Sequence, residues 1–409
     1  MSNKLASNTS DIRRINRLLV RDIIRQQGPI CRSDIAKAAG LTPPTVTNIV
    51  SDMLESRIVE EVGYGESTGG RRPVMLVLNP HAGFSLAVTI QRGETRVALM
   101  DLADNILARR DTQLSVSSPH EIASTITESF QSLLSETGVP EEKVLWCGVA
   151  SPGLVNSDQG VVETSSNLAW KKVPFAHILS ESLSGIPVHI ENISNAAALG
   201  EKVYGIGKGY PNLIYLNVSI GIGAGIIIDN RVFRGARGYA GEIGHVPMTV
   251  HDGPQCSCGR EGCLEAFCGV PAVLKRVKAQ VSDEEFKRLN VNRDSIQIPH
   301  LTKPPLSDIP EIQRIMDETG HLIGIAIAHL VSLFDTEMVI LGGELGRVGD
   351  TFLETVIRSA RDHSLAAFAE TIRVVRSTMH EHPELMGAYV LAMEKVFALE
   401  DWDYRRAHS

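Results

Sequence analysis

The sequence predicts an α/β protein with a small, mostly helical head at its N-terminus, on three observations. From Phe84 onward, short β-rich apolar segments alternate with long helical patterns, as sheets flanked by helices require. The first 80 residues instead show three short amphipathic helical patterns followed by two strands. Charge divides at the same place. Residues 1–80 hold 11 Lys and Arg against 8 Asp and Glu, a net of +3, so the chain's −8 leaves −11 on residues 81–409. At 409 residues the chain exceeds one ordinary core, and two or three domains of about 100–200 residues each are expected.

The head begins with a helix over Asp11–Gln27. Ile12, Ile15, Leu19 and Ile23 recur at spacings of three and four, with Arg13, Arg14, Arg17, Arg21 and Arg25 on other faces, and Gly28–Pro29 ends it. A second helix starts with Ser33 as N-cap, runs through Ile35, Ala36 and Ala39, and stops at Gly40, where glycine accepts a left-handed turn. Thr42 caps a third helix with Pro43 first inside it, where a missing N–H costs nothing; Val46, Ile49, Val50 and Met53 form its buried stripe. Thr45, Thr47, Asn48 and Ser51 then point outward. Two short helices joined by a Gly-containing turn, the second presenting small polar side chains, match a helix-turn-helix that lays its second helix in the DNA major groove. An ordinary helical hairpin is the alternative those residues leave open. Candidate DNA contacts are Arg32, Ser33, Thr42, Pro44, Thr45, Thr47, Asn48 and Ser51.

Ile58–Val62 and Val74–Leu78 read as strands joined by the polar, glycine-rich GYGESTGGRRP, a wing or a solvated loop tip. Arg71 and Arg72 suit a narrow minor groove, whose concentrated negative potential attracts arginine.

In the body, strands are expected at Phe84–Ile90, Arg96–Asp101, Val144–Ala150, Val188–Glu191, Leu213–Val218 and Met338–Leu341, with helices over 120–137, 310–334 and 383–399. At 43% hydrophobic and 22% charged residues, with no apolar run near about 18 residues and no signal-peptide core, the composition predicts a cytoplasmic protein without membrane insertion. Of six cysteines, Cys256, Cys258 and Cys263 crowd one stretch, while Cys31, Cys147 and Cys268 are scattered; such clustering favours a metal over disulfides. With His245 they make one imidazole and three thiolates, the donor set of a closed tetrahedral structural zinc site. Free reduced thiols are the alternative.

The stretch EIGHVPMTVHDGPQCSCGREGCLEA, beginning at Glu242, resembles the ROK family, which groups bacterial sugar kinases with transcriptional repressors. Further matches are SPGLV at 151–155, SNLAW at 166–170, NAAALGE at 195–201, GIGAGIIIDNRVFRG at 221–235 and VILGGEL at 339–345. The resemblance implies an actin-like, two-lobed ATPase body, with lobes at 81–200 plus 384–402 and at 201–383 behind a winged helix-turn-helix of residues 1–80. It also implies zinc on His245, Cys256, Cys258 and Cys263, and sugar contacts at Gly153, Asn167, Asn192, Glu242, His245 and Glu265. Those side chains suit a hydroxylated ring: carboxylates accept from hydroxyls, amides donate and accept, and an unpaired buried group penalises the wrong epimer.

The kinase pattern of the family fails at two places. A catalytic aspartate should follow the Glu-Asn pair as general base, yet Glu191 and Asn192 precede Ile193, which accepts no proton. The DxGGT phosphate loop is replaced by Thr89, Ile90, Gln91, Arg92 and Gly93. The glycine run at Gly221, Gly223 and Gly225 serves either phosphate binding or close packing. The expectation is a non-enzymatic, sugar-responsive DNA-binding repressor of carbohydrate uptake or metabolism genes; a sugar kinase with an added head is the alternative. The resemblance further implies operator DNA, a sugar or sugar derivative, a homodimer or dimer of dimers, and in some members a protein regulator.

Overall fold

The computed structural model describes residues 9–66, 72–114, 118–249, 251–379 and 382–398, without the side chains of 9–15, 18, 397 and 398. The head contains α1 (Thr9–Gln27), β1 (Ile30–Cys31), α2 (Arg32–Ala39), α3 (Pro43–Glu55), β2 (Val59–Tyr64) and β3 (Val74–Leu78). The strands form one antiparallel sheet in the order β1-β3-β2. The short β1 was not expected from sequence, and it moves a cap. Because Ile30 and Cys31 pair with Leu76 and Met75, the chain enters α2 straight from the strand, with Cys31 as N-cap and Ser33 already inside the helix. Gly40 ends α2 at φ +63, as expected.

A second correction concerns α1. Leu19 is 39% exposed, whereas Val20, Ile23 and Ile24 are buried and Arg21 is 6% exposed. The helix is therefore rotated relative to the expected stripe, because its inner face meets α2, α3, β3 and the body's core together. Ile12 and Ile15 have side chains outside the described set.

The body holds two five-stranded sheets of identical topology. The first contains β4 (Phe84–Gln91), β5 (Glu94–Asp101), β6 (Ile106–Gln113), then after α4 (Pro119–Thr137) β7 (Val144–Ser151), and finally β11 (Val188–Asn192). Before β11 come a separate sheet of β8 (Leu154–Asn156), β9 (Val161–Ser165) and β10 (Trp170–Val173), and α5 (Phe175–Ser182). After α6 (Ile193–Tyr204), the second sheet contains β12 (Leu213–Val218), β13 (Ile222–Ile228), β14 (Arg231–Val232), β15 (Met338–Gly342) and β16 (Val374–Arg376). The sheet orders are β11-β7-β4-β5-β6 and β14-β13-β12-β15-β16. Each is a three-strand antiparallel meander extended by two parallel strands, a duplication that defines the actin-like body.

Between β14 and β15 lie α7 (Leu264–Cys268), α8 (Val270–Gln280), α9 (Asp283–Arg288), α10 (Ile298–Leu301) and α11 (Pro310–Phe334). Between β15 and β16 lie α12 (Gly343–Gly346), α13 (Asp350–Asp362) and α14 (Ala366–Thr371), and α15 (Pro383–Ala398) follows β16. Each sheet packs a core of its own against its helices. A third cluster joins the head's Val20, Ile24 and Leu78 to α6 and α15 in one continuous apolar mass. The α6–α15 crossing is tight: a Cβ on Gly387 would lie 1.6 Å from the Ala196 carbonyl, and one on Gly200 2.1 Å from the Pro383 carbonyl. No helix among the described residues is long and apolar enough to cross a membrane.

Candidate functional site

Where β11 turns into α6, Asn192 leaves the sheet as the N-cap, its Oδ1 accepting from the backbone N–H of Ser194 and Asn195. Its Nδ2 donates to the Gly153 carbonyl at 2.9 Å. The amide oxygen is thus spent on the helix, and one Nδ2 hydrogen remains for a ligand. Glu191 is fully buried; its carboxylate accepts from Asn192 N, Asn195 Nδ2 and, at 2.7 Å, Arg234 Nε. Engaged on both oxygens, it cannot replace the base missing at position 193.

A cleft of about 1320 Å³ opens in front of this turn, larger than the roughly 300–1,000 Å³ of ordinary small-ligand sites. All six expected sugar contacts, Gly153, Asn167, Asn192, Glu242, His245 and Glu265, line it, together with Ile193. Gly221 brings two of them together: a Cβ there would lie 3.0 Å from Glu265 Oε2 and 3.5 Å from Asn167 Nδ2. Glu265, in the first turn of α7, accepts from Ile222 N at 3.0 Å and from Ser257 Oγ at 3.2 Å. Burial, reinforced by the Glu265 carboxylate, pushes the Glu242 carboxyl up to about 7.

Behind Glu242 stands the thiol cluster. The loop 255–261 folds on itself through Cys256 N to Arg260 O at 2.8 Å and a bridge between Gln255 and Glu261. The donor atoms of His245, Cys256, Cys258 and Cys263 all lie within 4.8 Å of one another. Sulfurs on a tetrahedral ion with bonds of about 2.3 Å sit about 3.8 Å apart. Cys258 Sγ and Cys263 Sγ are 3.7 Å apart, far beyond a disulfide bond, and His245 Nδ1 lies 3.7 Å from Cys256 Sγ. The set therefore fits a four-coordinate ion. The other ring nitrogen, Nε2, faces the cleft 3.9 Å from Glu242 Oε2.

Sequence reasoning missed Ser257, the hydroxyl between two cysteines of the cluster that bonds Glu265 and so ties the cluster to the cleft. Its place inside CSC was the available signal. The glycine run divides: Gly225 packs under α6, where a Cβ would meet Ser194, Gly221 faces the cleft, and Gly223 both lines the cleft and meets Ser194. Residues 91–94 form a two-residue hairpin turn at Arg92–Gly93, with the Gly93 carbonyl taken by Leu114 N at 2.8 Å. No extended phosphate loop is present at this turn.

On the head, Thr47, Asn48, Pro44 and Thr42 are exposed and Thr45 and Ser51 half-buried; Pro44, Thr47, Asn48 and Ser51 lie on the side of α3 opposite its buried stripe. Thr42 is the N-cap residue by position, but its hydroxyl meets Thr45 Oγ1 at 2.8 Å instead of a backbone N–H, and Thr47 Oγ1 donates to the Pro43 carbonyl. Ser33 is exposed and Arg32 reaches Glu61 Oε1 at 3.4 Å. Arg72 is exposed beside β3; Arg71 lies outside the described residues.

A helix-turn-helix head on a duplicated two-lobed body, whose cleft keeps hydroxyl-binding groups without a base at position 193, defines a ligand-responsive DNA-binding regulator on a sugar-kinase scaffold. Residues 85–395 match the model of the ROK family, and the chain belongs to that family. It is 32% identical over 401 residues to a putative xylose repressor of Caldicellulosiruptor sp. (strain Rt8B.4), covering 96% of this chain and 98% of the relative. The crystal structure of a ROK family transcriptional regulator, a homologue of the E. coli Mlc protein, superposes with a TM-score of 0.81 at 25% identity, over 95% of this chain and 98% of its own. A ROK family glucokinase from Streptomyces griseus, solved with glucose and AMPPNP, gives 0.65 at 26% identity but spans only 76% of this chain and all of its own. The chain therefore stands with the family's transcriptional repressors.

Proposed function

We propose that this chain represses transcription by binding operator DNA through α3 and the wing, and that a sugar seated in the inter-lobe cleft releases it. The observation that carries the reading is a cleft that keeps Asn167, Asn192, Glu242, His245 and Glu265 around one opening while position 193 is isoleucine. Binding without a base yields affinity without chemistry, since only interactions strengthened in the transition state accelerate a reaction.

The working division is a head of residues 1–80 on lobes 81–200 with 384–402 and 201–383. His245, Cys256, Cys258 and Cys263 would hold zinc with four protein ligands and leave no position open, which suits a structural role. Ser257, between two cysteines of the cluster, donates to Glu265, so that an ordered cluster would steady both that carboxylate and the His245 ring at the cleft. The names of two relatives, a putative xylose repressor and a xylose repressor, support an aldopentose as the first candidate ligand. One short recognition helix reads few bases, which favours a dimer on paired half-sites. Sugar closes the cleft and changes the relation of two heads; a ligand shifts such an equilibrium only by its differential affinity for the two states.

The test is Glu242→Gln in the full chain. Operator binding without sugar stays within about threefold of wild type, while sugar affinity falls at least tenfold, about 1.4 kcal/mol or more, in calorimetric titration. A variant still released at wild-type sugar concentrations overturns the assignment.

A further inference from the structure

Two helices run from the cleft, and each brings a tyrosine to the same carboxylate, α6 at its last residue and α15 partway along its length. Asn192 and Ile193 open α6, and Pro383 and Glu384 open α15; all four line the cleft. The close approaches of Gly200 and Gly387 lock these helices backbone to backbone, so that displacing one carries the other. At the last residue of α6, about 16 Å from its start at 1.5 Å per residue, burial and the neighbouring Asp104 carboxylate push the Tyr204 phenol up. On α15, the fully buried Tyr389 places its hydroxyl 2.7 Å from the Asp101 carbonyl and 2.9 Å from Asp104 Oδ1.

Asp104 occupies the turn between β5 and β6 at φ +70, and Asp101 organises that turn by accepting from Ala103 N, Asn105 N and Asn105 Nδ2. The same turn touches the head's exit, where Leu102 N donates to the Pro80 carbonyl at 3.2 Å. Leu102 shares one apolar cluster with Val20, Ile24 and Leu78 of the head, and Tyr204 packs against that same cluster. The Tyr389 hydroxyl is a directional contact within otherwise non-directional apolar packing. A hydrogen bond is lost within a few tenths of an ångström, so such a contact discriminates between two positions of the helices as apolar packing does not.

We propose that Tyr204 and Tyr389, meeting on Asp104, form the relay through which closure of the cleft on a sugar reaches the DNA-binding head. The relay rests on the receptor reading above. Neither tyrosine lines the cleft, so both are positioning residues.

The experiment measures operator affinity of the full chain with and without D-xylose and D-glucose, in wild type, Tyr389→Phe and Tyr204→Phe. Phenylalanine keeps the ring and removes only the hydroxyl, and Tyr204 is only half-buried, so one variant folds even if the other suffers. The expected result is sugar affinity and sugar-free operator affinity within threefold of wild type, with the sugar-induced loss of operator affinity reduced at least fivefold in each variant. In the double variant that reduction does not exceed the larger single effect, because both hydroxyls serve one carboxylate. Full sugar response in both single variants overturns the relay and leaves the receptor reading standing. Sugar affinity falling in proportion to the response also overturns it, by making the hydroxyls merely structural. A wild type whose operator affinity neither sugar changes removes the receptor reading and the relay with it.

Discussion

Ile193 is half-buried at the first position of α6, and its apolar side chain stands where a kinase of this family would present its base. Its neighbours are already committed: Asn192 caps the helix, and Glu191 is held by Arg234 and Asn195. The turn is consequently a binding surface fixed by its own hydrogen bonds. The thiolate cluster fixes the opposite wall. Cys258→Ser removes one of four donors and leaves the other two sulfurs and His245 crowded around an incomplete site. Purified Cys258→Ser should retain less than half of the wild-type zinc by elemental analysis and melt at least 5 °C lower, because binding free energy of a structural ion is folding free energy. A zinc-free variant with the wild-type melting temperature would contradict the structural role. The cluster was legible because three cysteines within eight positions have few other uses. The double duty of Asn192 was not, since its partners are backbone N–H groups that exist only once the helix has formed.

At the level of elements, long periodic segments were legible and short edges were not. The patterns over 310–334 and 383–399 correspond to α11 and α15, and Leu213–Val218 is β12 residue for residue. The strands β6, β8, β9, β10, β13, β14 and β16 were not anticipated: all but β13 are short or half-exposed, and their pairing, not their composition, makes them strands, while Gly223 and Gly225 hid the buried β13. The rotation of α1 was hidden for a related reason, since two neighbouring surfaces bury it and blur a single stripe. The crossing of α6 and α15 is the element on which ligand response and stability both depend. Gly387→Ala drives a methyl into the Ala196 carbonyl and should destabilise the body by about 1–3 kcal/mol or more, read as a lower midpoint of denaturant unfolding. An unchanged midpoint would show that the helices separate readily and would weaken the case for their moving as one body.

Over the whole molecule, a head of net charge +3 sits on a body of −11, so that phosphate attraction is confined to one end. The fold class and the two-part organisation follow from that division and from the change of periodicity at Phe84. The duplication of the two sheets is a property of pairing order and became visible only in three dimensions. The architecture combines a cleft that retains the means of recognising a sugar with a head that reads DNA, joined through one apolar cluster. Its central claim is that sugar binding ends in a change of operator affinity instead of a phosphorylated product. The most direct test follows, in one preparation of the full chain, operator affinity and phosphate transfer from ATP across a panel of pentoses, hexoses and amino sugars. The predicted result is that at least one sugar lowers operator affinity tenfold or more while no sugar is phosphorylated. Steady transfer of phosphate to a sugar, with operator affinity indifferent to the whole panel, would contradict it.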